Sequence, residues 1–328
     1  MPLQSLPYEL LSQITALLPT LDLLALTTTT HLLSYHAYRL LYSELYLSPQ
    51  HKNLNVVITL AKKPSVAVHV RSFAIHIQSN PTLFKPFYKA LRTALSNMSH
   101  LSSLRLFLDP SFTSALPVAD NSIFSNLLNV ATSLAYDRNV ALCLARANSL
   151  LELDLESPTQ SHSTNPELPV GSLPHLRKFT GPVQVAEMMV PGRPVESIRL
   201  HSGDILESVA INLAKSTTPV ILFEANINSL SIPFLLSLSQ SMPYLRYVRF
   251  TTTSCNIEPP SFEFCDDVAK TLSFFPYLEA FELWGIHWER TQKAPNNRGY
   301  LWRANLFCPS ADTGELSSDL FSEGFTVY

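Results

Sequence analysis

Glycine is scarce in this sequence of 328 residues, which contains eight glycines. The patterns Gly-x-x-x-x-Gly-Lys, Gly-x-Gly-x-x-Gly and Gly-x-Ser-x-Gly are all absent. The first two form loops that hold phosphate groups, and the third positions a nucleophilic serine on a sharp turn. The sequence therefore contains neither a nucleotide-binding loop of these types nor the nucleophile elbow of an α/β-hydrolase.

Charge is also low. Charged residues make up 15% of the chain, the net charge is −3, and no basic cluster is present. This argues against nucleic acid as a partner. Hydrophobic residues make up 46%, which favours a folded chain over a disordered one. The length suits a small module and one larger domain.

Cysteine pairs at short spacing are missing as well. No Cys-x-x-Cys occurs, and no cysteine has a histidine at the spacing of a metal site. We expect buried, reduced thiols, no metal and no cofactor. The four cysteines are Cys143, Cys255, Cys265 and Cys308.

Long hydrophobic runs are also absent from the sequence. No apolar run reaches the ~20 residues of a membrane-spanning helix. The apolar start of the chain has no Lys or Arg before Arg39 and is interrupted by Pro19, Asp22 and four threonines, unlike a signal peptide. We expect an intracellular protein, cytoplasmic or nuclear, with no membrane partner.

The first 33 residues show helical periodicity. Pro7 and Glu9 suit the first turn of a helix, and Pro19 ends it. Asp22 is a predicted N-cap for a second helix over residues 23–33. The first helix carries an apolar stripe that so small a segment cannot bury by itself, so the rest of the chain or a partner must cover it. That stripe consists of Leu10, Leu11, Ile14, Leu17 and Leu18.

The same stretch resembles an F-box, the helical segment that connects a protein to a Skp–cullin ubiquitin ligase. The matching residues are Leu6-Pro7-Tyr8-Glu9-Leu10-Leu11, Ile14, Leu18-Pro19 and Asp22-Leu23-Leu24. The sequence departs from the family at Thr27–His31, where a small residue followed by a basic one is usual. An ordinary amphipathic helical hairpin is the alternative interpretation.

Resemblance to fungal F-box proteins with leucine-rich tails continues at Arg39–Tyr42, Leu60–Ser65 and His69–Phe73. The resemblance implies contact with a Skp-type adaptor and, through it, a cullin. The implied adaptor-binding residues are Leu6, Pro7, Leu10, Leu11, Ile14, Leu18, Pro19, Asp22, Leu23 and Leu24.

A motif of the form Leu-x-x-apolar-x-apolar recurs from residue 70 onward. Clear copies begin at Val70, Leu101, Leu150, Val195, Leu245 and Leu278. Helix-like segments lie between them, among them residues 123–144 and 268–275, the latter with Asp266 or Asp267 as a predicted cap. Strand and helix alternating at this spacing is typical of repeat proteins. A conventional α/β sheet with helices on both faces is the alternative.

The predicted fold class is α/β, with a small N-terminal helical F-box module followed by an irregular leucine-rich-repeat-like solenoid. The predicted domains are an F-box-like module over 1–47, an irregular arc over 48–288 and a C-terminal cap or tail over 289–328. A polar insertion rich in Ser, Thr and Pro is predicted near 156–172.

Strand alternation also predicts which side chains point away from the core. Leu104, Leu153 and Leu278 are predicted core residues, and their neighbours face outward. His287-Trp288-Glu289 is interpreted as a rim cluster and not as a catalytic dyad. The outward residues predicted to contact a target are Arg105, Phe107, Asp154, Lys178, Arg199, His201, Tyr247, Arg249 and Glu282.

Together these features predict a non-catalytic substrate-recognition subunit of a Skp–cullin–F-box ubiquitin ligase that holds a target protein. The alternative is an interaction scaffold that uses the F-box outside a ligase. An enzyme with an unfamiliar site is the third hypothesis, and the missing motifs disfavour it.

Overall fold

The computed structural model describes residues 6–77, 85–117, 124–156, 166, 168–169, 171–252, 260–292 and 300–305. Most of the predicted polar insertion near 156–172, the residues Cys255 and Cys308, and the tail after residue 305 lie outside this part of the chain.

Three helices open the described chain: α1 (Tyr8–Ala16), α2 (Thr20–Leu26) and α3 (His31–Leu41). The predicted second helix over 23–33 is wrong, because the chain turns at residues 27–30. The hydroxyls of Thr27, Thr28 and Thr29 donate to carbonyls of the preceding turn at 2.7–2.8 Å, which ends α2. Asp22 lies in the first turn of α2, and Pro19 occupies the N-cap.

One sheet of twelve strands contains every strand in the described residues, in strict chain order. The pairs from β1–β2 to β9–β10 are parallel, and β10–β11–β12 are antiparallel. The strands are β1 (Glu44–Leu47), β2 (Ser72–His76), β3 (Ser103–Phe107), β4 (Asn129–Thr132), β5 (Glu152–Leu155), β6 (Lys178–Pro182), β7 (Ser197–Ser202), β8 (Leu222–Asn226), β9 (Tyr247–Thr251), β10 (Ala280–Leu283), β11 (Ile286–Gln292) and β12 (Tyr300–Asn305).

Helices connect most of the parallel strands. Right-handed crossovers that always add the next strand on the same side place these helices on one face of the sheet. The remaining helices are α4 (Asn55–Lys62), α5 (Pro64–Ala67), α6 (Lys85–Asn97), α7 (Arg138–Leu144), α8 (Val183–Met189), α9 (Glu207–Leu213), α10 (Ile232–Ser241) and α11 (Phe262–Leu272), with a short 3-10 helix at Thr113–Ala115.

The core lies between these helices and the sheet. Alternate strand residues such as Leu104 and Leu153 are buried there. Leu278, two residues before β10, is buried as well, so all three predicted core residues are confirmed. Phe223, Phe250 and Phe281 follow one another across neighbouring strands, with ring centroids 5.9–6.2 Å apart in edge-to-face contact. We refer to the opposite side, whose side chains are half-buried or exposed, as the open sheet face.

A repeated backbone contact holds the strands in register. The carbonyl of Arg71 accepts hydrogen bonds from the amides of Ser102 and Ser103 at 2.8 and 3.0 Å. Arg246 does the same for Glu279 and Ala280, at 2.8 and 3.1 Å. Each such carbonyl precedes its own strand, so the strands begin level with one another.

The chain reverses direction between β10 and β11. Leu283 pairs with Ile286, which leaves Trp284 and Gly285 as a two-residue turn with φ of +50° and +84°. Positive φ at both positions is the geometry of a tight hairpin turn, which Gly285 adopts without strain. The indole N–H of Trp284 donates to the Ile227 carbonyl at 3.2 Å and fixes the turn.

The predicted fold class is wrong. The described residues form an α/β fold around one mostly parallel sheet, and neither a separate helical F-box module nor a solenoid is evident in them. α3 leads within three residues into β1, which pairs with β2, so the N-terminal helices are continuous with the sheet. Hydrogen bonding runs unbroken to β12, where residues 289–292 and 300–305 extend the sheet.

A predicted helix over residues 123–144 is also wrong. This region contains β4, followed by the shorter α7. Thr132 occupies a core position of β4 where the motif expects an apolar residue, and its hydroxyl donates to the Leu106 carbonyl at 3.1 Å. The hydrogen bond allows a polar side chain to occupy the core. The strand therefore lacks the apolar residue by which the sequence motif would identify it.

Candidate functional site

The N-terminal helices expose more large apolar side chains than a self-sufficient hairpin needs. Leu10, Ile14 and Leu17 follow one face of α1 at helical spacing, and Leu17 is 86% exposed. Leu21 and Leu24 do the same on α2. We define the N-terminal apolar surface as the exposed apolar residues of α1–α3 and the α1 C-cap: Tyr8, Leu10, Ile14, Leu17, Leu21, Leu24, Leu32 and Tyr35.

The predicted adaptor-binding residues divide into two groups. Pro7, Leu10, Ile14, Pro19, Asp22 and Leu24 are exposed. Leu6 and Leu18 are half-buried, whereas Leu11 and Leu23 are buried. Because the side chains of Leu11 and Leu23 are buried, they do not contact a partner directly. They affect such a contact only through the packing of the helices that present the exposed residues.

An aromatic and basic cluster joins α1 to α3. The ring centroids of Tyr8 and His36 are 4.4 Å apart, and the Arg39 guanidinium donates to the Tyr8 hydroxyl at 2.9 Å. Tyr35 contacts His69 edge to face at 5.0 Å. Burial, and then the charge of Arg39, lowers the pKa of His36, which favours a neutral ring. The sequence pattern indicated none of these contacts.

Cross-strand ion pairs occupy much of the open sheet face. Lys178 lies 2.7 Å from Glu152, Arg199 donates to Glu224 at 2.7 Å, and Arg249 lies 3.2 Å from Glu282. Glu282 is nearly buried, and His287 approaches it at 3.9 Å. Of the predicted target-binding residues, Lys178, Arg199, Arg249 and Glu282 therefore have their charges compensated within the sheet.

Tyr247 belongs to a further cluster at the start of β9. Its hydroxyl donates to Glu279 at 2.9 Å, and Arg246 donates to the same carboxylate at 2.8 Å. The hydrogen bond from Arg246 is the main reason that the pKa of Glu279 is lowered. Next to it, the exposed rings of Tyr244 and Tyr277 stack with centroids 5.5 Å apart.

Arg105 and Asp154 form no ion pair of this kind with a described residue. Arg105 is exposed and makes neither a hydrogen bond nor an ion pair with a described residue. Asp154 Oδ1 is shielded from solvent and accepts no hydrogen bond from a described residue. Burial, followed by the charge of Glu156, raises the pKa of Asp154, and the charges of His201, Arg199 and Arg105 offset part of this rise. His201 donates from Nε2 to the Leu155 carbonyl at 2.7 Å, and the ring centroids of Phe107 and His76 are 5.6 Å apart.

Buried polar groups elsewhere have structural roles. The Arg193 guanidinium donates to the carbonyls of Met188 and Met189 at 3.0 and 2.8 Å, at the C-terminal end of α8, and also to the Ser172 carbonyl.

Cys143 is a buried free thiol whose pKa is raised by burial to about 12, which makes it a poor nucleophile at neutral pH. It lines an apolar cavity of about 30 Å³ between β3, β4 and α7.

Among the described residues, no three His, Cys, Asp or Glu side chains are grouped so as to hold a metal ion. Within that same part of the chain, no helix combines the length and the apolar character needed to cross a membrane. No family model matches this sequence, and a search of curated proteins found no match.

Proposed function

We propose that the chain is a substrate-receptor subunit of a Skp–cullin ubiquitin ligase, acting in the cytoplasm or nucleus. The N-terminal apolar surface binds a Skp-type adaptor, which joins a cullin, and the open sheet face holds a target protein. The chain itself performs no chemistry, and its partners transfer ubiquitin. The observation that carries the proposal is the exposed stripe of Leu10, Ile14 and Leu17 within the segment that resembles an F-box.

The energetics of that stripe support an obligate partner. Burying one large apolar side chain contributes about 1.5–3 kcal/mol. A few such side chains in the centre of an interface dominate its affinity. Leu10, Ile14 and Leu17 lie on successive turns of α1, so a single groove of a partner would cover all three.

The arrangement of the two surfaces supports a receptor. The N-terminal apolar surface precedes β1, while the charged and aromatic residues of the open sheet face belong to β2–β10. A partner on each surface would be held at high effective concentration relative to the other, which promotes transfer without any catalytic group in this chain.

The decisive experiment is affinity purification of the tagged full chain from cells, followed by immunoblotting for the adaptor and for cullin. We expect both proteins with the wild type and neither with Leu10→Ser/Ile14→Ser. Recovery of the adaptor without cullin would support the scaffold function and contradict the ligase function. Equal recovery of the adaptor by the wild type and this variant would contradict both.

A further inference from the structure

The open sheet face contains two opposite charges that form no ion pair with a described residue. Register places Arg105 on β3 beside Ala131 on β4, and Ala131 beside Asp154 on β5. Neighbouring strands are about 4.8 Å apart, so the two charged residues originate about 10 Å from each other. Between them, Ala131 contributes only a methyl group.

Asp154 has a small neighbour on its other side too, because β6 places Thr180 beside it. The next positively charged side chain in this row, Arg199, is already bonded to Glu224. Asp154 therefore keeps a carboxylate oxygen without a hydrogen bond from any described residue. Such a group costs free energy in the folded chain.

An aromatic pair borders the same region. Phe107 lies two residues after Arg105 on β3 and is half-buried against His76 of β2. Arg105, Asp154 and Phe107 thus offer a cation, an anion and an apolar contact around Ala131. We name this group the charge slot.

The chemistry of the charge slot selects one class of occupant. A nucleic acid would satisfy Arg105 but leave Asp154 facing further negative charge. The amine and carboxylate of a free amino acid are too close together to span a slot of about 10 Å. A polypeptide segment meets all three requirements, because its side chains carry both charges at adjustable separation.

We propose that the charge slot binds a peptide segment of the target in which an acidic side chain meets Arg105 and a basic side chain meets Asp154. An apolar side chain of the same segment packs on Phe107. The role of this segment as a ligase target rests on the proposed function, whereas its binding to the slot does not. The ion-paired residues Lys178, Arg199 and Arg249 stabilise the open sheet face and contribute little to binding of the peptide segment.

The test is selection from a random peptide library displayed on phage, using the full chain purified with its adaptor. We expect the wild type to enrich peptides with an acidic and a basic residue in fixed order and spacing. The charge-swapped variant Arg105→Asp/Asp154→Arg should enrich the opposite order. The matched control Arg199→Glu/Glu224→Arg, which reverses a pair that the sheet already neutralises, should select as the wild type does.

A milder pair of variants tests the slot without placing a long side chain at position 154. Arg105→Ala and Asp154→Asn should each weaken binding of a selected peptide by about tenfold or more, the effect of losing one charged hydrogen bond. Asp154→Asn should keep the preference for the acidic residue and lose that for the basic one.

Enrichment of peptides without an acid–base pair, or of the same order by the wild type and the charge-swapped variant, would overturn the inference. Adaptor binding reports separately on the proposed function, because it depends on α1–α3. Normal adaptor binding with unselective peptides would reject the charge slot alone. Selective peptides without adaptor binding would reject the ligase role alone.

Discussion

Single side chains on the open sheet face differ in how their charges are paired, and Asp154 forms no ion pair with a described residue. Its pKa is raised above the ordinary value of 3.8, mainly by burial. A carboxyl group with a raised pKa in the folded state binds its proton more readily when folded. The stability that it contributes is therefore present at low pH and is lost as pH rises above the ordinary value and through the folded pKa.

Asp154→Asn should accordingly be more stable than the wild type at neutral pH, because asparagine removes the cost of the buried charge. The advantage should disappear below about pH 3, where the carboxyl is protonated in both states. Urea unfolding followed by circular dichroism across this pH range measures the difference. The exposed Asp204→Asn is the control and should show little change. A destabilised Asp154→Asn at neutral pH would mean that the charges of His201, Arg199 and Arg105 outweigh the cost of burial.

Period-two alternation predicted which strand residues face outward, and it correctly separated Leu104 and Leu153 from their neighbours. It could not predict the cross-strand partners, because Glu224 and Glu279 meet their arginines only through the register of neighbouring strands. Register depends on the lengths and paths of the connections, which alternation within one strand does not contain. The sequence alone therefore could not distinguish Arg105 and Asp154, which form no ion pair with a described residue, from the charged residues that do.

Individual helices are fixed by specific residues at their ends. Asp137 is the N-cap of α7, and its carboxylate accepts from the amides of Asn139 and Val140 at 2.8 and 3.0 Å. The Thr113 hydroxyl also donates to it at 2.6 Å and connects α7 to the 3-10 helix. Asp137→Ala should lower the free energy of unfolding by about 1–2 kcal/mol. Asp137→Asn, which also caps well, should retain most of it in the same urea titration. Equal losses in the two variants would show that capping is not the source.

Within α1, adjacent leucines have opposite environments. Leu11 is fully buried, whereas Leu10 is 45% exposed. Leu11→Ala should cost about 2–5 kcal/mol of stability, as is usual for a buried leucine, and Leu10→Ala should cost far less. Thermal melts of the full chain with both variants measure this. The reverse order would mean that α1 presents a different face to the solvent.

Some elements could be predicted from the sequence and others could not. Pro7 is the N-cap of α1, one position before the predicted first turn. The helix ends at Ala16, three residues before the predicted stop at Pro19, which is the N-cap of α2. The start of α11 was misplaced, since its cap is Ser261 and not Asp266 or Asp267, which lie within the helix. β4 was missed because Thr132 satisfies its hydroxyl inside the core. Capping and buried hydrogen bonds depend on the folded backbone, and composition does not reveal them.

At the scale of the whole molecule, the described chain presents two candidate binding surfaces, one on α1–α3 and one on the open sheet face. The predicted division into a helical module and a solenoid was wrong because the hydrogen-bonded ladder begins at β1, directly after α3. Recurring Leu-x-x-apolar-x-apolar motifs identify strands, but they do not determine how the strands are assembled. That assembly requires the pairing pattern, which only the structure provides.

Exposed apolar side chains on α1–α3 should make the isolated chain bind hydrophobic dyes. Addition of a purified Skp-type adaptor should suppress the dye fluorescence, because the adaptor covers the N-terminal apolar surface. Leu10→Ser/Ile14→Ser should lower the fluorescence without any adaptor. A chain that is silent towards the dye on its own would indicate that the surface is already covered.

Calorimetric titration of the full chain with a purified Skp-type adaptor tests the central claim most directly. The account predicts saturable binding by the wild type and a loss of about 2–5 kcal/mol in Leu10→Ser/Ile14→Ser. The matched control Leu206→Ser/Ile211→Ser removes two apolar side chains of α9 and its N-cap that are more exposed than Leu10 and Ile14, and it should bind like the wild type. No binding by the wild type, or equal binding by all three proteins, would contradict the claim that the N-terminal apolar surface is an adaptor site.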